Sequence, residues 1–264
     1  MEKNALAVMV RVPAPGKVKT RLTPGLSELE ACQLYEAFLK DLFSRLCALA
    51  STDIFIYYAI PDGREAVTDG CETIPDGREA VTDGQETTSD GSEMAVDKLR
   101  VLSDLIPEPF ALTPQKDGDL GGRMQGAFEE LFSRGYTRVA LIGSDSPDIP
   151  LTHIRRTFMV LTGPCSEEEP RRLVLGPALD GGYYLIAMNA SLASSSASLF
   201  TGIEWGSASV LQETLGKAQD AGMQVAMLAE WHDVDTCEDL AYIEGSDCLP
   251  ATALVLQGLT RRQP

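Results

Sequence analysis

Short, wholly apolar runs alternate along this chain with longer segments in which apolar residues recur every three or four positions. Ala5–Val12 is an apolar run of strand length, followed by a Pro/Gly loop over Pro13–Gly25. Leu29, Leu34, Phe38, Leu42, Leu46 and Leu49 then form a helical stripe. Ser27 stands at its N-cap and Glu30 at the reciprocal position of a capping box. Asp53–Ala59 reads as a second strand, Gly122–Arg134 as a helix, and Arg138–Ile142 as a buried strand running into Gly143-Ser-Asp-Ser-Pro147. A helix follows from about Leu151. Leu173–Pro177 and Tyr183–Met188 read as strands on either side of Asp180-Gly-Gly182. Ser207–Ala221 is helical, Gln224–Leu228 is a strand, and Asp235-Thr-Cys-Glu-Asp239 opens a final helix.

This order predicts an α/β fold, a mostly parallel sheet flanked by helices with antiparallel strands at its edges. In such sheets ligands bind in the crevice at the carboxyl ends of the strands. That rule selects three segments: the loop Pro13–Arg21, the turn Ser144–Asp148, and the turn near Asp235.

Charge sharpens the choice. The 264 residues carry 22 basic and 39 acidic side chains, net −17. Such a surface repels phosphate backbones and argues against nucleic acid as a partner. Residues 61–93 alone hold ten acids and two arginines, net −8. Within them Ile60–Gly70 recurs unchanged as Ile74–Gly84, which reads as a tandem duplication in a solvated loop whose shortening by one copy leaves folding and binding intact. By contrast, Lys3, Arg11, Lys17, Lys19 and Arg21 are five bases with no acid among them. A cationic segment in so acidic a chain points to an anion site. No apolar run approaches the roughly 20 residues of a membrane span. Six scattered cysteines without a CxxC pair read as free thiols, placing the protein in a reducing cytoplasm. With two histidines, zinc sites and serine triads are poorly provided for. Ser144 and Ser146 also lack the G-x-S-x-G setting of a hydrolase nucleophile.

In the loop Val12-Pro-Ala-Pro-Gly-Lys-Val-Lys-Thr-Arg-Leu22, Pro13 stiffens the chain, Gly16 admits close backbone approach, and Lys17, Lys19 and Arg21 offer charge and a bidentate fork to phosphate oxygens. The spacing is neither a P-loop nor GxGxxG. Asp145, just past a buried strand, suits Mg²⁺ or Mn²⁺, hard cations that bridge diphosphates. Asp148 reads as the cap of the following helix. Gly121 and Gly122 open a helix whose N-terminus could host an anion or ribose hydroxyls, with Arg123 in its first turn; a flexible helix-start loop fits equally. Asp180 offers a hydroxyl acceptor, Gly181 and Gly182 a close approach, and Tyr183 an apolar face for a sugar, though a plain hairpin would also use Asp-Gly. Asp235 reads either as an N-cap or as a second metal ligand opposite Asp145. His232 reads as structural.

Five ordered motifs carry a resemblance: Pro13-x-Pro-Gly-x-x-Lys-Thr-Arg-Leu22, Gly118-Asp-Leu-Gly-x-Arg-Met124, Gly143-Ser-Asp-x-Pro147, Leu175-Gly-Pro-x-x-Asp-Gly-Gly-Tyr-Tyr184 and Asp233-Val-Asp-Thr236. Together they resemble a bacterial family of glycosyltransferase-like proteins, similar to nucleotide-diphospho-sugar transferases of the Rossmann-like GT-A fold and related to molybdenum-cofactor and phospholactate nucleotidyltransferases. The resemblance runs from about Leu6 to Ile243. It implies one transferase-like domain over residues 1–245, interrupted by the acidic duplicated loop 60–91, and a C-terminal tail over 246–264. Arg11 stands where the family usually has lysine.

The resemblance implies a metal-dependent transferase acting on a nucleotide or nucleotide-sugar donor and a small-molecule acceptor, with Mg²⁺ or Mn²⁺ as cofactor. In that reading Pro13, Gly16, Lys17, Thr20, Gly121 and Arg123 join Lys19 and Arg21 around the nucleotide, with Lys19 and Arg21 on the diphosphate. Asp145 and Asp235 share the metal. Asp180, Gly181, Gly182 and Tyr183 face the sugar or acceptor, with Asp180 the carboxylate nearest the chemistry. The alternatives are a nucleotidyltransferase that releases pyrophosphate from an NTP, and a non-catalytic nucleotide-binding regulator.

Overall fold

Strand β1 (Asn4–Arg11) lies inside the sheet because its side chains can be buried on both faces. Leu6, Val8 and Val10 join one hydrophobic cluster, while Ala5, Ala7 and Met9 join the other. The structure, a computed structural model, describes residues 3–59, 99–162, 171–193 and 196–260. The duplicated segment lies outside these residues, as do Cys71 and Cys165. The four cysteines described, Cys32, Cys47, Cys237 and Cys248, are free thiols.

Helix α1 (Glu28–Leu46) begins with the expected capping box: Ser27 Oγ accepts from Glu30 N at 3.3 Å, and Glu30 Oε2 accepts from Ser27 N at 2.9 Å. Such a cap contributes about 1 kcal/mol. Its buried stripe includes Leu34, Phe38, Leu42 and Leu46. Leu29 stays outside it, more than half exposed.

The remaining elements are β2 (Thr52–Ala59), α2 (described over 99–105), β3 (Ala111–Pro114), α3 (Leu120–Ser133), β4 (Arg138–Ile142), α4 (Leu151–Val160), β5 (Arg172–Pro177), β6 (Tyr183–Asn189), α5 (Ala197–Phe200), α6 (Val210–Asp220), β7 (Gln224–Met227), α7 (Leu240–Ile243) and α8 (Pro250–Thr260). The described strands form one sheet in the order β3-β2-β1-β4-β6-β5-β7. All pairs are parallel except those of β6, which runs against both β4 and β5. The antiparallel strand is therefore internal, where the sequence pointed to the edges. Val139, Leu141, Leu173, Leu175, Ile186 and Met188 form one face of β4, β5 and β6, and Ala140, Ile142, Val174, Leu185 and Ala187 the other, so burial on both faces holds β6 inside the sheet.

Several boundaries differ from expectation. Helix α6 starts at Val210 rather than Ser207, because Ser207 and Ser209 turn on each other through their hydroxyls at 2.8 Å. The helix expected from Asp235 is confined to Leu240–Ile243. The segment after Gly245, expected as a tail, contains α8. Its first amides, Ala251 N and Thr252 N, donate to the buried carboxylate of Asp41 on α1 at 3.0 and 2.8 Å. No described helix is long and apolar enough to cross a membrane.

Sheet direction places the site. The carboxyl ends of β1 and β4 lie side by side, and β6, running backwards, starts at the same edge: Leu185 is in register with Ile142. The loop after β1, the loop after β4 and the β5–β6 turn are thereby brought together.

Candidate active site

These loops enclose a cavity of about 710 Å³. The loop after β1 is anchored by buried Val12, Ala14, Val18 and Leu22 and tied to the sheet by Val12 N donating to Ala59 O at 2.9 Å. Between these anchors Lys19 adopts a left-handed backbone, φ 48° and ψ 39°, which is unusual outside glycine. Its side chain is only 4% exposed. Lys19 Nζ donates to Asp145 Oδ1, to Asp235 Oδ1 at 2.9 Å and to Val234 O at 2.8 Å. Burial alone disfavours the charged ammonium, but the Asp145 and Asp235 carboxylates more than offset this and hold it protonated. Lys19 thus forms a closed ion cluster with the two aspartates, rather than the open phosphate contact expected from sequence.

The two aspartates come from different loops. Asp145 follows β4, and Val234 N donates to its carbonyl at 2.8 Å, which fixes the 233–236 segment beside it. Asp235 is not a helix cap: its amide, with that of Thr236, donates to Asp239 Oδ2 at 3.1 and 2.7 Å. Asp145 and Asp235 are 48% and 39% exposed in their side chains, so both open onto the cavity that buries Lys19. Asp233 lies deeper. Burial pushes its carboxyl up to about 7, aided by the charges of Asp145, Asp180 and Asp235 and opposed by the hydrogen bond that Ser146 Oγ donates at 2.5 Å.

Arg45 of α1 sets the loop after β4 by donating to the carbonyls of Pro147 (2.6 Å), Asp148 (3.1 Å) and Ile149 (2.6 Å). Tyr35, also on α1, shares a hydrogen bond with Ser144 Oγ at 2.9 Å and accepts from Arg11 N at 3.1 Å. Burial, with the Asp145 charge, pushes its phenol up to about 12. Asp148 does not cap α4, whose N-cap is Pro150. Its carboxylate instead meets Trp231 Nε1 at 3.2 Å and His232 Nε2 at 3.1 Å. His232 is stacked between Trp231 and Tyr242, in keeping with a structural role.

Of the sequence candidates, Lys19, Thr20, Arg21, Arg123, Asp145, Asp180, Gly182, Tyr183 and Asp235 line the cavity. Pro13, Gly16, Lys17, Gly121 and Gly181 do not. Gly16 takes φ +71°, and a Cβ there would meet the Glu28 carboxylate. A Cβ on Gly121 would stand 2.6 Å from Phe200 O and 2.7 Å from the Trp205 ring. These glycines permit packing within the protein. At the start of α3, Asp119 Oδ1 already accepts from Gly122 N at 2.8 Å, so this helix end holds its own carboxylate. Arg123 Nε donates to Gly118 O at 2.9 Å. Asp180 Oδ1 accepts from Gly182 N at 2.9 Å within the β5–β6 turn, so the hairpin reading describes its local geometry.

Comparison with known proteins bears on what such a cavity belongs to. Residues 87–207 match a family model described as an uncharacterized protein conserved in bacteria (DUF2064). A solved structure from Desulfovibrio desulfuricans G20, provisionally named a nucleotide-diphospho-sugar transferase, is 30% identical, with 99% of this chain and 98% of that chain covered and a TM-score of 0.73. The chain belongs to this nucleotide-diphospho-sugar-transferase-like family. A cytidylyltransferase from Leptospira borgpetersenii serovar Hardjo-bovis was also matched, at 8% identity over 99% of this chain and 95% of that one, TM-score 0.49. A search of curated proteins gave no match.

Among the lining residues that sequence reasoning did not single out are Tyr35, Gln115, Trp205 and Asp233. Gln115 closes the strand ends, its Nε2 donating to Val10 O at 3.1 Å and Tyr57 O at 2.8 Å. Asp233 alternates with Asp235 in Asp-Val-Asp, a signal that was available. Tyr35 and Trp205 stand in no motif.

Proposed function

We propose that the protein transfers a group from a nucleotide-activated donor, a nucleoside diphosphate sugar, to a small acceptor with the help of Mg²⁺ or Mn²⁺. The observation that carries this is the pairing of Asp145 and Asp235 at the carboxyl edge of β1 and β4, in a cavity also lined by Arg11, Arg21 and Arg123. The carboxylates suit a divalent cation, and the arginines suit phosphate oxygens.

The donor set supports this cofactor. Lys19 uses Oδ1 of each aspartate, Arg21 Nη1 lies 3.9 Å from Asp235 Oδ2, and both carboxylates line the cavity with partly exposed side chains. Among the described residues no three His, Cys, Asp or Glu side chains converge on one point. Two carboxylates completed by water and ligand oxygens are a common setting for Mg²⁺. When bound, the cation would neutralise charge on the departing phosphate. Arg11 and Arg21 would orient the diphosphate. Leu120, Arg123, Tyr183 and Trp205, which also line the cavity, would flank the transferred group and limit its contact with water.

Arg123, set apart from the β1 loop on α3, also supports a second reading. A cation there would suit a phosphorylated acceptor, and the reaction would then be nucleotidyl transfer with release of pyrophosphate.

Thermal stabilisation against NTPs, NDPs and NDP-sugars, with and without Mn²⁺, tests both. A Mn²⁺-dependent shift selective for an NDP-sugar, abolished by Asp145→Asn, is the expected result. A shift with one NTP and pyrophosphate release on turnover would favour the second reading. Binding without turnover in any donor and acceptor panel would make the protein a nucleotide-binding regulator, and no shift with any ligand would remove the proposal.

A further inference from the structure

We propose that Lys19 is an exchangeable internal cation: its ammonium holds Asp145 and Asp235 together until a divalent ion replaces it, and it then turns to the phosphates of the nucleotide. This inference rests on the metal reading of the aspartate pair. Two carboxylates converging on one atom repel each other unless a positive charge lies between them. Here that charge comes from the chain itself: Nζ contacts Oδ1 of both aspartates and the Val234 carbonyl. The ammonium therefore occupies the position from which a cation touches both side chains.

Three features make exchange the natural behaviour of this cluster. Lys19 is nearly buried while its partners are nearly half exposed, so an ion from the cavity reaches the carboxylates without first crossing the lysine. Lys19 itself lines the cavity, so its four-carbon stem needs only a rotamer change to enter it. Its backbone is pinned between buried Val18 and Leu22, which confines the motion to the side chain. The charges balance as well. Asp145, Asp235, Lys19 and Arg21, whose Nη1 lies 3.9 Å from Asp235 Oδ2, sum to zero, and a divalent ion on the carboxylates leaves both cations for the incoming diphosphate.

The exchange predicts coupling. A divalent ion alone must displace the ammonium from both carboxylates into a cavity that holds no anion to receive it, so it binds weakly. A phosphate ligand accepts the displaced ammonium, so ion and phosphate strengthen one another reciprocally.

Calorimetric titration with Mn²⁺, alone and with inorganic pyrophosphate, tests this on the full chain. Lys19→Met is expected to bind Mn²⁺ alone at least tenfold more tightly than the wild type and to regain thermal stability on its addition. Wild-type protein should gain at least tenfold in Mn²⁺ affinity from pyrophosphate, and Lys19→Met clearly less. Lys19→Arg, which keeps the charge, should show no gain for Mn²⁺ alone. Equal Mn²⁺ affinities in wild type and Lys19→Met, with binding still lost in Asp145→Asn, would overturn the exchange and leave the metal reading standing. Failure of Mn²⁺ to bind any form, even with pyrophosphate, would overturn the metal reading and the exchange with it. A second measurement needs no variant: acylation of Lys19 by an N-hydroxysuccinimide ester, followed by peptide mass, should be slow in the free protein and at least tenfold faster in saturating Mn²⁺. An unchanged rate would overturn the exchange.

Discussion

Gly181 shows how a motif glycine can be read correctly as special and for the wrong reason. Its φ is +92°, and an added Cβ would stand 2.2 Å from Ala208 O, a backbone atom that cannot swing away. Its carbonyl also accepts from Leu211 N at 3.0 Å, tying the β5–β6 turn to the first turn of α6. Gly135 has a similar φ, +86°, with nothing within 4 Å of its Cβ position. Gly135→Ala should therefore cost only the left-handed penalty, about 1 kcal/mol. Gly181→Ala should add a steric clash, for a total of about 2–4 kcal/mol. Urea denaturation of the two variants separates the contributions, and equal losses would mean that the Ala208 contact relaxes freely. Lys19 marks the limit of residue-scale reading. Its charge and its place after a strand were legible. That it would face Asp145, 126 positions away, depends on strand order, which no local pattern encodes.

Elements were most legible where one physical cause acted alone. The interiors of β1 (Ala5–Val10) and β4 (Val139–Ile142) are apolar without a break because both faces are covered, so each reads as an uninterrupted run. β3 has four residues, none fully buried, at the edge of the sheet, and ends in Pro114; it carries no alternation to detect. The reversal of β6 was concealed by the same burial that revealed it as a strand. A residue covered on both faces looks alike in either direction, and only the Asp-Gly-Gly turn hinted at a hairpin. How one element positions another is equally silent in the sequence. Arg45 projects from the end of α1 and gathers three consecutive carbonyls of the loop that carries Asp145. Charged hydrogen bonds of this kind contribute about 1.5–3 kcal/mol each, but not additively. Arg45→Met, which keeps the stem and removes the donors, should lower stability by about 2–4 kcal/mol. Because the loop would no longer hold Asp145 in place, Mn²⁺-dependent nucleotide binding should weaken at least tenfold in calorimetric titration. A stability loss with unchanged affinity would show that Lys19 and Val234 suffice to position Asp145.

At the scale of the whole molecule the open question is where the folding unit ends. The motifs stop near Ile243, which suggested a domain over residues 1–245 followed by a C-terminal tail. Packing argues for a larger unit. Leu249 is buried, and Val255 and Leu256 of α8 lie against the cluster built on β1 and α1. Asp41, 3% exposed, receives the first amides of α8, so removing the helix would leave a buried carboxylate without its donors as well as exposing apolar surface. Either loss costs about 1–3 kcal/mol, a large part of an ordinary domain's 5–15 kcal/mol. Truncation after Gly245 should therefore lower the melting temperature by about 5–20 °C. Asp41→Ala in the full chain should cost about 1–3 kcal/mol, and Asp41→Asn, which keeps one carbonyl acceptor, roughly half as much. The three proteins compared by calorimetry decide the matter. A truncated chain that melts with the wild type would return the boundary to residue 245, whereas a graded loss in the order Asn, Ala, truncation would make α8 part of the transferase-like fold and Asp41 the residue that fastens it.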